Sequence, residues 1–81
     1  SNYPNPFTGS TLLKFTTKGG HTLIQVIDMT GRVIATPVDR DYPSAGTFTQ
    51  SFDGEGLPNG VYYARLQNGA TQQVKAMLKV R

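Results

Sequence analysis

The chain contains no cysteine, no tryptophan and a single histidine, and only 16% of its 81 residues are charged. Without cysteine, disulfides and thiolate metal sites are excluded; the compartment stays open, because a secreted domain need not carry disulfides. No apolar run approaches the ~20 residues that cross a bilayer as a helix, so no membrane insertion is expected. The first residues carry no signal-peptide pattern. No segment repeats its apolar residues at a period of about 3.6, which leaves helices out of the expected fold. The net charge is only +3, and the basic residues Lys14, Lys18, Arg32, Arg40 and Arg65 are scattered, with Lys75, Lys79 and Arg81 alone gathered near the end. Nucleic-acid binders cluster such charges and interleave aromatics with them, so no nucleic-acid partner is expected.

What the chain has is turns. Nine glycines and five prolines divide it into short elements. Residues 11–16 read as a strand with Leu13 and Phe15 on one face. "HTLIQVID", residues 21–28, is apolar on both faces, with Ile24 and Val26 on one and Leu23 and Ile27 on the other, as a covered central strand requires. Met29-Thr30-Gly31 fits a hairpin loop whose last position is left-handed, flanked by Asp28 and Arg32, which can pair across it. Residues 32–36 return as the partner strand, and 37–46, polar and holding two prolines, read as a long connection. Residues 47–52 place Phe48, Gln50 and Phe52 on one face, with the amide of Gln50 near the sheet margin. Leu57 is expected to tuck inward before Pro58-Asn59-Gly60 turns the chain into a strand over 61–67, whose Tyr62 and Tyr63 point to opposite faces. Asn68-Gly69 is a strong signal for a two-residue type I′ hairpin. In the last strand, 70–80, Val74, Ala76, Leu78 and Val80 are expected inside, and Lys75, Met77, Lys79 and Arg81 in water.

Six strands, or seven with the proline-rich "NYPNPF" lead-in, separated by frequent turns, describe an all-β, immunoglobulin-like antiparallel β-sandwich. The expected organisation is one domain over 1–81, with 1–7 an irregular lead-in continuing a linker and 8–81 the sandwich. Tyr3 and Phe7 are expected to pack on the sandwich margin, where the prolines keep the edge from recruiting another strand.

The residues for catalysis are missing. His21 stands alone at a strand start, without the base-and-orienter pairing that nucleophilic catalysis needs. Asp39 and Asp41, and Asp53 and Glu55, sit in turns, too few for a calcium loop, although either turn could take an adventitious calcium. Gly54-Glu55-Gly56 precedes no helix and is not a phosphate loop. The tyrosines form no aromatic row for stacking sugars. No enzyme activity, cofactor or metal is expected.

"NYPNPF", "IDMTGRVI", "LPNGVYYARL" and "KAMLKVR", in that order over residues 2–81, resemble the C-terminal sorting domain of the type IX secretion system, found in bacteria of the Bacteroidetes kind. The resemblance implies an immunoglobulin-like domain at the end of a secreted cargo. Such a domain directs the cargo from the periplasm across the outer membrane through a dedicated translocon. A sortase-like peptidase then removes it, and the cargo is attached to the cell surface or released. It implies as partners the translocon, that peptidase and an upstream cargo domain. The family's "PxGxY" element matches Pro58, Gly60 and Tyr62, its "D..GR" turn matches Asp28, Gly31 and Arg32, and its lysine-bearing last strand matches Lys75 and Lys79. Gln50 departs from a position that is usually apolar in the family. Lys75, Lys79 and Arg81 are the candidate recognition residues; the others read as structural. The alternative is an accessory carbohydrate-binding or structural immunoglobulin-like module of a secreted enzyme.

Overall fold

Alternation with a period of two carries most of the chain into strands. The structure, a computed structural model, describes residues 6–81; the expectation for Tyr3 lies outside them. Among the described residues seven strands follow in order: β1 (Pro6–Phe7), β2 (Ser10–Thr17), β3 (Gly20–Ile27), β4 (Val33–Tyr42), β5 (Gly46–Asp53), β6 (Gly60–Asn68) and β7 (Thr71–Lys79). They form a five-stranded sheet, order β1-β7-β6-β3-β4, facing a two-stranded sheet, β2-β5. This is the expected all-β, immunoglobulin-like sandwich. All pairings are antiparallel except β1 with β7, where Pro6 lies opposite Leu78 and Phe7 opposite Lys79.

The core is where the two layers meet. Leu13, Phe15 and Phe52 from the small sheet pack with Ile24, Val26, Tyr62, Leu66 and Met77 from the large one, and Phe7 joins them with its ring edge-on to Phe52. Leu57 packs against this cluster, as its sequence position suggests. Gln50 is half-buried opposite Leu13, with its amide donating to the Ser51 carbonyl at 3.1 Å.

Two expectations of the strand map are corrected. Residues 37–46 are not one long connection, because β4 runs through Pro37 to Tyr42. Ile24 lies opposite Val38 and Val26 opposite Ala35, so Thr36 and Pro37 together face Gln25 in a bulge at the edge of the sheet. A bulge on an edge strand needs no N–H from Pro37, which is why proline is tolerated there. Beyond it, Val38 and Tyr42 enter the core, and the Tyr42 ring lies 4.8 Å from Phe48 and 5.9 Å from Phe15.

The second correction is at the β6–β7 hairpin. Asn68 pairs with Thr71, so the loop is Gly69-Ala70 and not Asn68-Gly69. Gly69 has φ of 62° and, among the described residues, none other than glycine has positive φ, so left-handed geometry falls on the first loop position alone. That is a II′ turn, which asks for glycine first. Asn68 has turned inward instead. Its Oδ1 accepts from Lys18 N at 2.8 Å, and its Nδ2 donates to the carbonyls of Gly19 at 2.9 Å and His21 at 3.0 Å. One buried amide thus clasps the turn between β2 and β3.

Candidate recognition site

The motif residues divide into those that build turns and those left in water. At the β3–β4 hairpin, Asp28 Oδ1 accepts from Thr30 Oγ1 at 2.6 Å, Thr30 N at 2.9 Å and Arg32 N at 3.1 Å. Gly31, with φ of 89°, lets the Asp28 carbonyl accept its own N–H at 3.0 Å. The Thr30 hydroxyl, then the Arg32 N–H, hold the Asp28 carboxyl below its ordinary pKa. The ion pair expected across the turn is present, with Arg32 Nε 3.6 Å from Asp28 Oδ2, but the Arg32 side chain is 78% exposed, so the pair adds little to the turn.

A second turn is fastened from two strands. Tyr62 is buried in β6 and its hydroxyl donates to the Pro58 carbonyl at 2.6 Å. A tyrosine near the start of this strand, bonded back to backbone a few residues upstream, is the tyrosine corner of immunoglobulin-like sandwiches. Gly60, at φ of 148°, takes the backbone between them through a region side chains disfavour. From β7, Lys79 Nζ donates to the neighbouring carbonyl of Leu57 at 3.1 Å.

That contact overturns the expected faces of β7. Tyr62 lies opposite Met77, and Gly60 opposite Lys79, so Met77 and Lys79 share the inner face with Tyr62. Met77 is 8% and Lys79 7% exposed, whereas Val74, expected inside, is 54% exposed. Register with β6 decides the parity, and the stem of Lys79 is long enough to lie along apolar surface while its ammonium reaches a carbonyl. The expected basic stripe is therefore broken: Lys75 and Arg81 are exposed, and Lys79 between them is turned inward.

Two polar contacts escaped the sequence reading. His21 Nε2 lies 2.7 Å from Asp39 Oδ1, with both side chains 59% exposed. In the sequence Asp39 lies in what reads as a connection, and only the β3–β4 pairing brings it near His21. The clasp by Asn68 has no local signal, because Asn-Gly is also turn chemistry. Asp53 acts as a turn former, its Oδ1 accepting from Glu55 N at 2.9 Å. Among the described residues, no three His, Cys, Asp or Glu side chains gather as a metal would need.

The arrangement offers a sheet with fastened turns and two exposed basic residues, Lys75 within β7 and Arg81 just beyond it. No curated protein and no solved structure matches the chain. Residues 1–80 match the family described as "Secretion system C-terminal sorting domain".

Proposed function

Because the chain belongs to the family of secretion system C-terminal sorting domains, that of the type IX system, we propose that it is a non-catalytic label that directs an attached upstream cargo from the periplasm through the outer-membrane translocon. On this reading a sortase-like peptidase then separates the cargo, which is attached to the cell surface or released outside. The match over residues 1–80 carries the reading. The geometry agrees with it: Asp28, Gly31, Pro58, Gly60 and Tyr62 are spent on turns, while Lys75 and Arg81 remain in water on the last strand and its tail. The translocon reads Lys75 and Arg81 directly, and Lys79 supports recognition by holding the Leu57 loop.

The test fuses residues 1–81 behind a periplasmically targeted fluorescent protein in a bacterium with a type IX system. The fluorescent protein reaches the medium or cell surface in the intact strain and stays periplasmic when the translocon is deleted. Equal export from both strains, or from neither, overturns the reading.

A further inference from the structure

The two layers of the sandwich are unequal, five strands against two. β5 follows β4 through the turn at 43–45 and touches it without a ladder between them. On the other side β2 stands across from β7, with a cleft of about 390 Å³ between them. Its floor is apolar, with Leu13, Leu66 and Met77 in it. Among the described residues, β2 pairs only with β5, and β7 meets β1 only at Leu78 and Lys79. The cleft is thus bordered by strand edges whose N–H and C=O groups have no ladder partner, and such an edge is a template for another strand.

Charge decides the occupant. Lys14 and Lys75 line the cleft, and among the described residues no carboxylate does. A second copy docked edge to edge would bring its own lysines against these, and like charges across a strand pair are destabilising. An acidic chain meets the opposite situation.

We propose that this cleft binds an extended acidic segment of another protein, apolar at alternate positions, which adds as a strand along β2. Backbone hydrogen bonds to β2 hold it, its apolar side chains cover Leu13 and Met77, its carboxylates meet Lys14 on the outer face of β2, and Lys75, on the same face of β7 as Met77, adds to the positive field of the cleft. The inference stands apart from the secretion reading, because it concerns binding by the domain alone: export can fail while this binding persists.

The test is a titration of the isotope-labelled chain, followed by backbone amide shifts. The probes are two blocked octapeptides, one alternating valine with glutamate and the other valine with lysine. The glutamate peptide shifts the amides of residues 11–16 and 73–77. The double substitution Lys14→Glu and Lys75→Glu weakens it about tenfold, within the range for two exposed pairs, and makes the lysine peptide the better ligand. Both positions are exposed, so the fold survives the change. Equal binding of the two peptides, shifts confined to other surfaces, or no shift at millimolar peptide overturns the proposal. So does a concentration-dependent dimer that covers β2, or a cleft already filled by another stretch of the chain.

Discussion

Lys79 donates its ammonium to the carbonyl of Leu57 at 3.1 Å, across from the Tyr62 hydroxyl that takes the next carbonyl, that of Pro58. Two neighbouring carbonyls of one loop are thus held from two strands. Replacing Lys79 with alanine removes the bond and the buried stem together, and is expected to cost about 1–3 kcal/mol in urea unfolding. Lys79→Met keeps the stem and is expected to lose less. A methionine variant as unstable as the alanine one would mean that the stem contributes nothing. If both variants matched the parent, the bond to Leu57 would be irrelevant to the fold.

Tyr62→Phe tests the other fastening. The ring stays and the Pro58 carbonyl loses its donor, for an expected loss of about 1–2 kcal/mol by the same measurement. Because Tyr62 and Lys79 hold the same loop, the double variant Tyr62→Phe with Lys79→Met is expected to lose less than the sum of the two. Strict additivity would show that the two bonds act on independent parts of the chain.

Asn68→Ala uncouples the β2–β3 turn from the end of β6. It leaves Lys18 N–H and the carbonyls of Gly19 and His21 to find water, at an expected cost of about 2–4 kcal/mol. Gly69→Ala, at φ of 62°, strains the hairpin loop itself and is expected to cost about 1 kcal/mol. If the two effects were reversed in size, the residue pair would be acting as the I′ turn its sequence suggests, and the clasp would be wrong.

Asp28 makes stability depend on acid. Its folded pKa is depressed below 3.8, chiefly by the Thr30 hydroxyl and then the Arg32 N–H. A depressed carboxyl contributes stability that is present above its unfolded pKa and lost as pH falls through the folded one. Urea midpoints of the parent chain should therefore drop more steeply below about pH 4 than those of Asp28→Asn. Thr30→Val, which removes the largest cause, should flatten the curve in part. Parallel curves for parent and Asp28→Asn would remove the carboxylate from the account.

Lys75→Ala and Arg81→Ala separate recognition from folding. Both side chains are exposed, so stability is expected to change by less than about 0.5 kcal/mol. Export of a fused fluorescent protein is nevertheless expected to fall. Normal export by the double variant would show that the translocon reads some other part of the domain.

Local chemistry was legible where neighbours in sequence decide it. The faces of β2 and β3 follow from Leu13 and Phe15 and from Ile24 and Val26, and the Asp28–Arg32 hairpin from its glycine. What could not be read was set by partners far along the chain. Counting apolar residues put Val74 inside and Lys79 outside, but the pairing of Tyr62 with Met77 fixes the opposite parity. The small sheet is too narrow to cover all of β7, so burial there does not follow hydrophobicity. Pro37 reads as a strand breaker until a bulge on an edge strand removes the need for its N–H. Asn68 reads as a turn former until the β2–β3 turn and the start of β3 supply partners from 46 to 50 residues away.

The parallel pairing of β1 with β7, closed by Val80 N donating to the Phe7 carbonyl at 2.9 Å, has a mechanical consequence. Tension applied ahead of Pro6 and resisted beyond Val80 pulls the two parallel strands in opposite directions along their length. Their hydrogen bonds are then loaded together in shear and not opened one after another, so a machine tugging on one end while gripping the other meets its resistance first where Phe7 pairs with Lys79.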